Sequence, residues 1–212
     1  MSGGASLRRD GSAGAGGGLM RRYVAFLRAI NVGKHQVKME ELRRYFEPLE
    51  FSNVSTFIAS GNVIFEAHEP ADELEGRIEQ HLEQCLGYAV GTFIRDESEI
   101  KAIAEHDPFG DDGTSYVVLL RQAPDRQTRE RIEQLSSDAD LVKVHGREIY
   151  WQPRIFHFSS VGSELQKILR REHTIRNANT LRRLAARFKT TKDAQAPRRS
   201  KKGSGSVSSA RP

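Results

Sequence analysis

Between residues 23 and 65 the hydrophobic period of the chain changes three times, and this succession restricts the folds open to it more than any other stretch. Tyr23-Val24-Ala25-Phe26-Leu27 begins an apolar run that reaches Ile30, short enough for a buried strand and too short for a typical helix. The polar loop Asn31-Val32-Gly33-Lys34-His35 ends it. Met39, Leu42, Phe46 and Leu49 then recur at helical spacing, with Glu40, Glu41, Arg43 and Arg44 on the other face. That spacing predicts an amphipathic helix over 38–49, stopping near Pro48. Two further runs, 54–59 and 63–65, flank Ser60-Gly61-Asn62. Glycine supplies the positive φ that a tight turn needs, so these runs predict a hairpin.

An amphipathic helix over 71–86 and a strand over 89–94 extend the order to β-α-β-β-α-β. This is the order of the ferredoxin-like fold, or alpha-beta plait, an antiparallel sheet with two helices on one face. Its strand order, 4-1-3-2, sets the end of the first strand, near Asn31, beside the start of the third, near Asn62. A short helix over 98–104 ends at Asp107-Pro108, and 110–113 reads as a turn or linker. A second round follows: a strand over 115–120, a helix over 125–135 with Asp125 as its N-cap, hairpin strands at 141–144 and 148–151, and a helix over 160–171. Where a closing strand should come stands Thr174-Ile175-Arg176-Asn177-Ala178-Asn179-Thr180, and Leu181, Leu184, Ala185 and Phe188 follow at helical spacing.

The expected fold is therefore α+β: two tandem ferredoxin-like units with antiparallel sheets, the second modified and ending in a helix. The expected divisions are a disordered extension over 1–21, a first unit over 22–97, a helix and linker over 98–113, a second unit over 114–188 and a disordered basic tail over 189–212. The first strand follows directly on Met20, which makes translation from that methionine one hypothesis for residues 1–19.

The net charge of +5 is unevenly spread. Residues 1–22 carry +3, 164–188 carry +5 and 189–212 carry +6, leaving −9 on 23–163. A basic balance located at the ends argues against a broad nucleic-acid surface on the main body. No apolar run approaches the roughly 20 residues of a membrane span, and the first 22 residues lack the apolar segment of a signal peptide. With Cys85 the only cysteine, no intramolecular disulfide forms, and a soluble cytoplasmic protein is the expectation. Cys85 itself is predicted to be a core thiol on the face of Leu74, Ile78 and Leu82.

Several separated blocks, taken together, resemble the DUF1697 family. They are Leu27-Arg28-Ala29-Ile30-Asn31-Val32-Gly33, Met39, the run from Thr56 to Phe65, Asp107-Pro108-Phe109, and Thr174 to Thr180, and the resemblance spans about 22–188. It implies a bacterial, cytosolic α+β protein and supplies no assigned catalytic residue. Two departures stand out. The family pattern has glycine where this chain has Ala29, and tryptophan where it has Ala178. If the family glycine has positive φ, alanine costs about 1 to 2 kcal/mol there.

No metal or cofactor is expected. His145, His157 and His173 stand apart in the sequence and no His-x-x-x-His spacing occurs. Gly33-Lys34 lacks the glycine five residues earlier and the following Ser or Thr of a phosphate loop. Trp151 reads as hairpin packing. The strongest candidate site is the edge where residues 31–35 meet 60–62, with glycine backbone, two amides, a hydroxyl, a lysine and a histidine, near the positive end of the first helix. The expected ligand-binding residues are Arg28, Asn31, Lys34, Ser60 and Asn62, with Arg176 and Asn177, and the expected partner is a small anionic or polar ligand. Nucleic-acid association through the arginines of 170–187 and the tail is the alternative. An enzyme at the same edge, with His35 titrating, is a third.

Overall fold

The chain alternates short strands whose residues point by turns to two buried faces with helices apolar on a single stripe, and each type covers the other. The computed structural model describes residues 19–31, 36–58, 61–110, 113–154 and 159–195. In the first half, strands β1 (Arg21–Leu27), β2 (Ser52–Thr56), β3 (Asn62–Ala67) and β4 (Thr92–Asp96) form one antiparallel sheet in the order β2-β3-β1-β4. Helices α1 (Met39–Phe46), followed by a 3₁₀ turn (Glu47–Leu49), and α2 (Ala71–Leu86) cover one face. Helix α3 (Glu97–Glu105) follows β4 directly, started by a capping box in which Asp96 and Glu99 serve each other's backbone amides.

The second half repeats this succession. Strands β5 (Tyr116–Leu119), β6 (Asp140–His145), β7 (Glu148–Pro153) and β8 (Thr174–Asn177) form a second antiparallel sheet, β6-β7-β5-β8. Helices α4 (Arg126–Glu133), capped by Asp125, and α5 (Val161–Leu169) cover its outer face. Helix α6 (Ala178–Gln195) follows β8 as α3 follows β4. Thus the strand order 4-1-3-2 holds in both sheets, and the second half does have its closing strand, built from four of the seven residues 174–180.

The remaining faces of the two sheets share one core. Val24, Phe26, Ile64 and Phe93 from the first sheet and Val117, Leu119 and Tyr150 from the second are sealed by Ile100 and Ile103 of α3 and by Leu181, Leu184 and Phe188 of α6. Burying a side chain of this size contributes about 1.5 to 3 kcal/mol relative to leaving it exposed, so apolar contact contributes to joining the halves.

Several boundaries differ from the sequence expectation. β1 ends at Leu27 and not Ile30, because Ala29 takes φ +65° and turns the chain. β4 begins at Thr92, after Gly91 accepts from Arg28 N–H. Cys85 is exposed and was expected to be buried. Its sulfur lies 3.5 Å from His81 Nε2 while Leu86, one position on, completes the stripe of Leu74, Ile78 and Leu82. His145 is not isolated: its ring stacks on His106 at 4.3 Å, across the join between the halves.

Candidate functional site

Each half reaches into the other with a buried arginine on its closing strand. Arg95 of β4 is fully buried. Its Nε donates to Glu148 at 2.8 Å, Nη1 to Ile94 O at 2.8 Å, and Nη2 to Leu120 O at 2.6 Å and Arg147 O at 3.4 Å. Arg176 of β8 makes the same set in the opposite direction. Its Nε donates to Asn62 Oδ1 at 2.7 Å, Nη1 to Ile175 O at 2.9 Å and Thr174 Oγ1 at 2.8 Å, and Nη2 to Leu27 O at 2.9 Å and Gly61 O at 3.4 Å. Leu27 is the last residue of β1 and Leu120 the first after β5; Asn62 and Glu148 begin the third strands, with Gly61 and Arg147 just before them. The two crossings are built to one plan.

Their electrostatics differ. Arg95 faces the Glu148 carboxylate, Arg147 beside it pairs with Glu99, and Arg121, just after the central strand, pairs with Glu79 and approaches Glu75 at 3.9 Å. Around Arg176 the partners are an amide, a hydroxyl and carbonyls, and among the described residues it has no carboxylate. Burial alone pushes its pKa down to about 10, so it keeps its charge at neutral pH. Arg28, in the place of Arg121, donates Nη2 to Gln166 Oε1 at 2.8 Å and Nη1 to the Arg170 and His173 carbonyls at 3.3 Å. Burial, then Arg171, lowers its pKa and Glu172 opposes them. By hydrogen bonds and ion pairs one crossing gathers three arginines with four glutamates, the other two arginines with Gln166 and Asn62, while Arg171 and Glu172 act on Arg28 through space.

An open cleft of about 460 Å³ lies against the second crossing, lined by residues 27–31 with Gln166 and residues 173–176. Two strained residues border it. Ala29 at φ +65° confirms the conformational demand read from the family glycine, and Arg170 at φ +53° ends α5. His173 is buried, and burial followed by the Arg28 charge lowers its pKa to about 4, so the ring is neutral at pH 7.

Of the seven expected ligand residues, the structure brings Arg28, Asn62 and Arg176 together. Asn62 and Arg176, separated by 114 positions, bond directly. Asn31 lines the cleft while its Oδ1 accepts from Val37 N–H at 2.8 Å. Asn177 accepts from Asn179 N–H at 2.8 Å at the start of α6. Lys34 and Ser60, and with them His35 and His157, lie outside the described residues. Gly61 is tied to the site by sterics: a Cβ there would stand 2.5 Å from Ile30 Cγ2, at φ +68°.

Sequence reasoning missed Gln166 and the Ile175 backbone; the recurrence of one element order twice was the signal that would have aligned the halves. The arginines of α6 are dispersed. Arg182 bonds Asn179 and lies 4.0 Å from Asp107, while Arg183 and Arg187 lie over the Phe57 ring. Trp151 donates to Asp140 at 2.7 Å and packs on Tyr116. Among the described residues no cluster of three or more metal-ligating side chains occurs, and no helix is long and apolar enough to cross a membrane.

A family model described as protein of unknown function (DUF1697) matches residues 20–150. Among solved structures the chain is similar to conserved bacterial protein SP0830 from Streptococcus pneumoniae, with 24% identity and a TM-score of 0.69 over 80% of this chain and 99% of that one. At that identity the likeness shows the fold alone. No curated protein matches the chain.

Proposed function

Because the chain belongs to the DUF1697 family, whose description assigns no activity, its chemistry has to be read from its own residues, and we propose that it binds a small anion in the cleft beside Arg28 and Arg176. The observation that carries this is that no carboxylate is hydrogen-bonded to either arginine among the described residues, the through-space pull of Glu172 on Arg28 being opposed by Arg171. The same crossing in the other half holds Glu148, Glu79 and Glu75, whereas this one holds Asn62 and Gln166. A buried cation lacking a carboxylate raises the local potential, and a low-dielectric wall strengthens its field in the adjoining cleft. The five Arg176 N–H groups are met by protein acceptors, so Arg176 supplies charge. Arg28 supplies contact. Its Nε and part of its Nη2 have no acceptor among the described residues.

On this reading each half is a ferredoxin-like plait, supported by the strand order and the two helices on one face of each sheet, and the cleft is a product of their pairing. It moves the ligand from the tip of the first loop to the join between the halves.

Calorimetric titration of the full chain with a panel of small anions at two salt concentrations tests this. The expected result is saturable, salt-tolerant binding that weakens at least tenfold in Arg28→Gln and persists in Arg121→Gln. Equal losses in both variants, or binding only to RNA at low salt, would contradict it.

A further inference from the structure

Resting on the anion-binding reading above, we infer that the ligand class is a carboxylate, held edge-on by the outward backbone amides of His173 and Ile175 and by the guanidinium of Arg28. The first half contains the built version of this arrangement. There α2 lies along the outer edge of β4, Glu79 accepts from Thr92 N–H at 2.6 Å, and Glu75 accepts from Ile94 N–H at 2.8 Å. The same Glu79 carboxylate pairs with Arg121. One carboxylate thus joins an edge amide to the arginine that follows the central strand.

The second half has the amides and the arginine without the carboxylates. Ala178 N–H donates to Ser115 O at 2.9 Å. Amides alternate in direction along a strand, so those of His173 and Ile175 face away from β5, as those of Thr92 and Ile94 face away from β1. Among the described residues no side chain caps them. Matching the stripe Leu74, Ile78, Leu82 of α2 to Val161, Leu165, Leu169 of α5 sets Gly162 in the place of Glu75 and Gln166 in that of Glu79. Gly162 is not demanded by crowding, since a Cβ there would meet the Trp151 ring at an ordinary 3.8 Å. Both ends of the Gln166 amide are engaged, its oxygen by Arg28 and its nitrogen by the Arg170 carbonyl at 2.7 Å.

The edge therefore offers donors. Ile175 O is already engaged by Arg176, which disfavours an added peptide strand, since that would need alternating donors and acceptors. A planar carboxylate meets both requirements at once, engaging the His173 amide, the counterpart of Thr92, together with the guanidinium fork. It would restore the counter-charge that Glu79 supplies on the opposite side.

Amide proton–nitrogen spectra of the full chain, titrated with acetate and succinate and with inorganic phosphate as comparator, decide the matter. Saturable downfield shifts of the Ile175 and His173 amides are expected with the carboxylates, at concentrations at least tenfold below those needed for phosphate. Gln166→Glu, at an exposed position, should shift the same amides without ligand and weaken the carboxylate response at least tenfold. Phosphate binding with no response to carboxylates would overturn the ligand class and leave the anion site standing. Carboxylate shifts centred elsewhere, or a Gln166→Glu variant that titrates like the parent, would overturn the placement. Silence from every anion would overturn this inference and the reading beneath it.

Discussion

Arg95 and Arg176 occupy matching places on the closing strands of the two halves, and each grips the ends of the other half's first and third strands through the same atoms. The first grip is closed electrostatically by Glu148, and its neighbours Arg121 and Arg147 are closed by Glu79 and Glu99. The second ends on Asn62 and leaves Arg28 on Gln166. Hydrogen-bond geometry can thus be kept while charge balance is given up, and giving it up beside an open cleft turns a structural join into a candidate for ligand capture.

The comparison breaks first at the arginines. Arg95→Met leaves the Glu148 carboxylate buried without its cation and should cost about 3 to 5 kcal/mol. Arg176→Met leaves only neutral acceptors unpaired and should cost about 1 to 3 kcal/mol. Urea denaturation of both variants gives the ordering, and equal losses would mean that the crossings are energetically alike.

A pH series separates them next. His173 stands where the first half has Thr92. Its folded pKa of about 4 lies below the ordinary histidine value, so the unfolded chain binds the extra proton first. The stability it contributes is complete above about pH 6.5 and declines as pH falls towards 4, by up to about 3 kcal/mol. His173→Thr should flatten that decline relative to the parent; identical profiles would remove His173 from the account.

A smaller effect comes from copying one crossing into the other. Asn62→Asp brings a carboxylate to Arg176 but gives up the 3.1 Å bond from Asn62 Nδ2 to Phe57 O, so the stability of the ligand-free protein should change by less than about 1 kcal/mol while anion affinity falls, measured by melting with and without ligand. Smallest is Ala29→Gly. Relief of a positive φ, about 1 to 2 kcal/mol, is partly offset by the entropy of glycine, leaving a net gain below about 1 kcal/mol. Gln122, the counterpart of Ala29, has no positive φ, and Gln122→Gly should be neutral or destabilising.

Most elements and their order were legible because hydrophobic period is a local property. Asn62 and Arg176 were also legible as polar residues in suggestive blocks, but their direct bond spans the whole fold, and nothing local encodes it. The roles of Glu75 and Glu79 were hidden for a related reason. On a helix they read as solvated charges, whereas in the fold they cap the edge of β4, and burial raises the pKa of both. Cys85 misled because the stripe of α2 turns to Leu86 in its last turn. Ala29 was legible only through the glycine of the related pattern.

The most direct measurement is a crystal structure grown with a bromine-substituted carboxylate, such as 3-bromopropionate, and its anomalous difference map. One dominant peak is expected in the cleft beside Arg28 and the edge from His173 to Ile175, and none at the matching position beside Arg121. A peak at the Arg121 side, or occupancy elsewhere with the Arg28 cleft empty, would contradict this.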